Sequence, residues 1–171
     1  MNKVIRLIKN NNTVNKFFKA VNYLCNEFNL DNENQNIYAS ALVKEKKLHF
    51  TVGSRYIIRV GLKNKKSIIG FHILKSYRNE IFSKYNSEIV SEEKSGDKDY
   101  IWVDINADRL NIHDVFPFLR KLTDNNLKGQ SKSQHRSKNA NKHNDWIVET
   151  AINKDLQIKI LGKITEKIIE K

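Results

Sequence analysis

Residues 37–74 read IYASALVKEKKLHFTVGSRYIIRVGLKNKKSIIGFHIL, and the punctuation of this stretch decides the fold. Four runs, 37–44, 47–52, 55–62 and 66–74, are rich in β-branched and aromatic residues and are separated by Lys, Gly, Ser or Asn. That composition describes a meander of short strands closed by tight turns, and hence an antiparallel sheet. Side chains one apart point to opposite sides of a strand. One set is apolar: Leu48, Phe50, Val52, Tyr56, Ile58, Val60, Leu62, Ile69, Phe71 and Ile73. It is expected to face the core. The other set, Lys47, His49, Thr51, Arg55, Ile57, Arg59, Lys66, Ile68, Gly70 and His72, mixes cations, imidazoles and a few apolar residues. A register slip of one residue inverts such an assignment.

Working outward, residues 100–106 make a fifth strand with Ile101, Val103 and Ile105 inward and Tyr100, Trp102 and Asp104 outward. On the N-terminal side, Thr13 is the expected cap of an amphipathic helix. Its stripe is Val14, Phe17, Phe18, Val21, Leu24, Cys25 and Phe28, and it ends near Asn29. Such a stripe covers the apolar face of the sheet. The only cysteine, Cys25, lies within it and reads as a structural thiol. Ile81, Phe82 and Tyr85 anchor a short helix over 79–85. Residues 87–99 read as an acidic loop with a brief strand at 88–90. Ile112, Val115, Phe116, Leu119 and Leu122 restore helical spacing to about residue 126. A start near Asp114 places Pro117 in the first turn, where its missing N–H costs least. The fold class is therefore α+β, with an antiparallel sheet of about five strands and helices on one face.

Residues 128–143 hold Lys, Ser, Gln, Asn, His, Arg and Gly and nothing larger than Ala to bury, the signature of a flexible basic linker. It separates an α+β domain, 1–127, from a tail, 144–171. Trp146, Ile147, Ile152, Leu156, Ile160, Leu161, Ile164 and Ile168 make the tail helical by spacing, docking on the domain, on a protein partner or on a second copy. Leu156, Ile158 and Ile160 also alternate as a strand would.

The net charge of +12 puts polyanions first among partners. Lys and Arg outnumber Asp and Glu by 14 to 4 in residues 1–75 and by 5 to 0 in residues 127–144, whereas residues 76–126 hold 7 cations and 10 anions. Charge segregated in this way makes a directed surface, although a Lys-rich sequence alone can be a solubilising coat. With one cysteine there is neither an internal disulfide nor a zinc cluster. No apolar run reaches the ~20 residues of a membrane span. A cytoplasmic protein is the expectation, with no cofactor and no membrane.

The order strand, strand, helix, strand, helix over 56–62, 68–74, 79–85, 100–106 and 114–126, together with the IWVDI strand, resembles the MmcQ/YjbR family of CyaY-like small bacterial proteins. The resemblance covers about residues 50–127 and implies a DNA-binding module. It transfers no functional residues, because the basic linker and the tail depart from the family.

Catalytic constellations are thin. His135 and His143, with Asn139, Asn141 and Asn144, match the residue types of an HNH nuclease but sit in the flexible tract. His49, His72 and Asp104 share a sheet face and have the donor types of a divalent-metal site, against which stands the greater frequency of hydrogen-bonded sheet histidines. Glu92, Glu93 and Lys94 carry the letters of a Glu-x-Lys nuclease motif, without an Asp placed before them. No phosphate loop or dinucleotide turn is present. A metal-dependent nuclease is thus a third reading, behind protein assembly through the tail.

The first reading is non-enzymatic nucleic-acid binding, DNA ahead of RNA. Arg55, Arg59, Lys63, Lys65 and Lys66 supply phosphate contacts and Trp102 a stacking face, with Lys132, Arg136, Lys138 and Lys142 as a mobile arm. The competing role for Trp102 is core beneath a helix, and for residues 63–66 a charged tip that discourages edge pairing.

Overall fold

Asparagine, not threonine, starts the first helix. In a computed structural model that describes residues 8, 10–30, 38–42, 44–52, 55–128, 144–148 and 158–167, Asn10 is the N-cap of α1 (Asn11–Glu27), its side chain accepting from the Thr13 amide at 2.9 Å. Thr13, expected to be the cap, lies within the first turn with its hydroxyl buried. Any member of an Asn run can cap, and the run lets the helix begin earlier. At the other end Asn29 takes a left-handed φ of 48°, and the Leu30 amide returns to the Cys25 carbonyl at 2.9 Å, which stops the helix.

The meander follows as β1 (Tyr38–Leu42), β2 (Lys47–Val52), β3 (Arg55–Lys63) and β4 (Lys66–Leu74). A two-residue turn joins β3 to β4, with positive φ at both Asn64 and Lys65, the primed geometry that matches the twist of a hairpin. After β4 come a 3-10 turn (Lys75–Tyr77), the helix α2 (Arg78–Tyr85), then β5 (Ile89–Lys94) and β6 (Tyr100–Asn106). A further 3-10 turn (Ile112–Val115) leads into α3 (Phe116–Lys128), whose second residue is Pro117.

The body of the fold is an antiparallel sheet of five strands in the order β5-β6-β4-β3-β2, extended by β1 antiparallel to β2. This is an α+β fold. Apolar faces of the strands meet the helices in one core: Val14, Phe17, Val21 and Leu24 of α1, Leu119 and Leu122 of α3, and Ile81 of α2 join Phe50, Ile58, Val60, Phe71 and Val103. The alternation holds along β2, β4 and β6. It breaks once, in β3. Phe50 pairs with Ile58, but Thr51 pairs with Tyr56, so Ile57 is an extra residue that joins Ile58 in the core. Tyr56, expected in the core, is thereby turned to the opposite face, where its ring meets those of His49 and Trp102.

Two further expectations change. Residues 92–94 lie on strand β5, not in a loop, because Glu93 points at the cations of the second face. Beyond residue 143, where helices were expected, the described segments are strands: β7 (Asn144–Val148) and β8 (Ile158–Lys167), antiparallel to each other, with β8 parallel to β1. Ile158, Ile160 and Ile164 alternate with period two, and Gly162 and Thr165 are poor helix formers, so strand pairing wins over helical spacing. Of the basic linker expected over residues 128–143, Lys128 is the last residue of α3, and residues 129–143 lie outside the described residues.

Candidate nucleic-acid interface

The second face of the sheet, against which no described helix packs, is not a row of free cations. Its centre is Arg59, 3% exposed. In register, Arg59 of β3 lies beside Gly70 of β4, and Gly70 beside Asp104 of β6. The glycine leaves room for the guanidinium to cross the intervening strand. Arg59 Nε donates to Asp104 Oδ1 at 2.8 Å and Nη2 to Oδ2 at 2.7 Å, a two-pronged contact. Nη2 also donates to Glu93 Oε2 at 2.7 Å, and Ser91 Oγ to Asp104 Oδ2 at 2.8 Å. Burial works against the Arg59 charge, but the hydrogen bonds and charges of Asp104 and Glu93 outweigh it and raise its pKa.

Glu93 also gathers Lys63 and Lys47. Lys63 donates to it and Lys47 lies 3.8 Å away. Partial burial pushes its carboxyl up, while the Lys63 and Arg59 hydrogen bonds and the Arg59 and Lys47 charges pull it down further, to about 2. Arg55 pairs with Asp97 at 3.4 Å and lies over the Tyr100 ring.

Around this ion-pair core lies a layer of rings. Trp102, 7% exposed, has the Arg59 guanidinium 4.3 Å from its centroid. His49, Tyr56 and His72 surround the indole at 5.4, 5.7 and 4.9 Å, and His72 stacks on Tyr100 at 4.8 Å. Trp102 is therefore buried among rings and a guanidinium, on the face away from the helices. His72 has Ser95 Oγ 2.7 Å from Nε2 and the Tyr56 carbonyl 3.3 Å from Nδ1. Among the described residues His49 has no hydrogen-bond partner at either ring nitrogen, and burial, followed by the charges of Arg59 and Lys47, lowers its pKa to about 3.

Of the residues singled out in the sequence, Arg55, Arg59, Lys63 and Trp102 are thus brought together, but each is spent on a neighbour. Lys65 and Lys66 are exposed at the β3–β4 turn. Lys132, Arg136, Lys138 and Lys142, like His135 and His143, lie outside the described residues. Asp104 is engaged by Arg59 and Ser91, and among the described residues no group of three His, Cys, Asp or Glu could hold a metal ion. Glu92 pairs with Arg78 at 2.8 Å. Burial raises the Cys25 thiol to about 11, far from a nucleophile's range.

Sequence reasoning passed over Lys44 and Lys46, both exposed in the β1–β2 turn. Their signal was present: a Lys-Glu-Lys-Lys run at a strand break, like the Lys-Asn-Lys-Lys run of residues 63–66. Among the described residues no helix is long and apolar enough to cross a membrane. Comparison of the chain with protein-family models, with curated proteins and with solved structures gave no match.

Proposed function

We propose that this chain binds nucleic acid through contacts to phosphate and catalyses no reaction on it. One observation carries the reading: the cations of the second sheet face are neutralised in place by Asp104, Glu93 and Asp97, while Lys44, Lys46, Lys65 and Lys66 are exposed, with no described carboxylate within ion-pair distance. Four lysines of residues 1–75 thus stand uncancelled on two turns. The linker lysines and arginine add to them in the same sense.

Binding of this kind is electrostatic and is read by its salt dependence. With about five phosphate contacts, log K falls against log salt with a slope near −4.5. Fluorescence anisotropy of labelled nucleic acid at several salt concentrations measures it. A slope close to zero, or no binding at low salt, defeats the proposal, and cleavage that requires magnesium replaces it with the nuclease reading. Arg59 is no longer a useful probe of contact, because its removal strikes the interior of the sheet.

A further inference from the structure

Two hairpin turns lie side by side at one end of the sheet. Lys47 of β2 is in register with Gly61 of β3, and Lys63 with Lys66 across the next hairpin. A Cβ added to Gly61 would come within 2.7 Å of the Lys46 carbonyl oxygen, so the β1–β2 turn abuts β3 just before the β3–β4 turn begins. The centres of the two turns are two strand spacings apart, about 10 Å. This end carries six lysines, residues 44, 46, 47, 63, 65 and 66, against Glu45, Glu93 and Asp108, the last held by the Asn10 side chain at 3.2 Å. The N-terminus of α1 opens nearby, because the Asn10 amide donates to Ser67 Oγ at the start of β4, and its first turn holds no acidic residue.

The backbone supplies an independent observation. Four described non-glycine residues have positive φ: Asn29, Asn64, Lys46 at 52° and Lys65 at 62°. Asparagine tolerates that conformation, and glycine adopts it freely. Lys46 closes the β1–β2 turn, and Lys65 is one of the two residues of the β3–β4 turn. Asn64 followed by glycine would make the most favourable two-residue hairpin; the chain has Asn64-Lys65 instead. A cation is kept where the fold is better served by its absence, and strain retained in this way points to function.

We propose that the paired turns form a docking surface for the phosphate backbone of double-stranded nucleic acid, engaged without regard to base sequence. This rests on the nucleic-acid reading above and adds its ligand class and location. Single strands are held by aromatic faces on which bases stack, but Tyr100 and Trp102 are buried among their own neighbours. What the turns offer is charge. A separation of about 10 Å is comparable with the roughly 12 Å width of the major groove of B-form DNA, so each turn meets the phosphates on one side of it.

The test compares two variants of equal charge loss in the full chain: Lys46→Gly/Lys65→Gly/Lys66→Gln at the turns, and Lys75→Gln/Lys94→Gln/Lys98→Gln at the opposite end of the sheet, where all three lysines are exposed. The probes are two unrelated 20-base-pair duplexes and their separate strands. The turn variant is expected to lose about 100-fold in duplex affinity at 0.1 M salt, its salt slope shrinking by about 2.7, while the opposite-end variant stays within about threefold of the parent. The urea midpoint of the turn variant is expected at or above that of the parent. Equal losses in both variants, tighter binding of single strands than of duplex, a tenfold preference between the duplexes or a lowered midpoint each overturn the inference. Failure of the unsubstituted chain to bind any probe overturns the nucleic-acid reading instead.

Discussion

The guanidinium of Arg59 and the carboxylate of Asp104 are joined by two hydrogen bonds of 2.8 and 2.7 Å across a strand that belongs to neither. Asp104 is fully buried and Arg59 nearly so. A buried pair is costly to break because the surviving partner is left charged without a counter-ion. Asp104→Leu or Arg59→Met alone is expected to lower stability by about 3–5 kcal/mol. The double replacement Arg59→Met/Asp104→Leu is expected to recover most of that loss. Urea denaturation of the four proteins closes the cycle; additive single losses would show that the two residues act independently.

Gly70 makes this pair possible. A Cβ at that position would lie 2.2 Å from Asp104 Oδ1 and 2.8 Å from Arg59 Cγ and Nε. Gly70→Ala therefore both overpacks and displaces the ion pair, and a loss of about 3 kcal/mol or more is expected. A loss below about 1 kcal/mol would mean that the pair moves aside without cost. The measurement is the shift in urea midpoint at unchanged m-value.

His49 gives the fold a slope with pH. Its folded pKa, about 3, lies below the ordinary 6.5. Between these values the unfolded chain binds the proton and the folded chain does not, so stability is full above pH 6.5 and falls as the pH drops toward 3. His49→Leu removes that dependence and two unpartnered nitrogens together. Relative to the parent, the variant is expected to gain about 2 kcal/mol more at pH 5 than at pH 8. Identical differences at the two pH values would show that the imidazole reaches water.

Glu93 acts lower on the scale. Its pKa is about 2 when folded and 4.5 ordinarily, so its contribution is full above pH 4.5 and is lost as the pH falls toward 2. Glu93→Gln is expected to flatten the pH profile of the melting temperature within that window and to leave its shape above pH 5 unchanged. A profile that keeps its full slope below pH 4.5 would place the acid-sensitive group elsewhere.

How much of this could be read in the sequence depended on whether one rule or two competing rules applied to a residue. The alternation in β2, β4 and β6 had one reading, and Phe50, Phe71 and Val103 are buried as it required. Tyr56 had two. In Tyr-Ile-Ile either isoleucine can be the extra residue of a bulge, and only pairing with Thr51 reveals which. Ile158, Ile160, Leu161 and Ile164 fit helical and extended spacing alike; the first three pair with β7, and Ile164 pairs with Ala39 of β1, more than a hundred residues earlier. Arg59 and Asp104 were correctly placed on one face. Their contact was hidden because it needs the spatial order β3, β4, β6 and a glycine in the middle. A cation that looked like a phosphate ligand was, for that reason, already taken.

The strand order also determines how molecules of this protein meet one another when crowded. Among the described strands β5 is terminal, beside β6, and its last three residues, Glu92, Glu93 and Lys94, are all charged. A neighbouring chain that tried to continue the sheet there would have to cover Glu93 together with the cations it holds. That edge works as a stop, discouraging the growth of sheet from molecule to molecule.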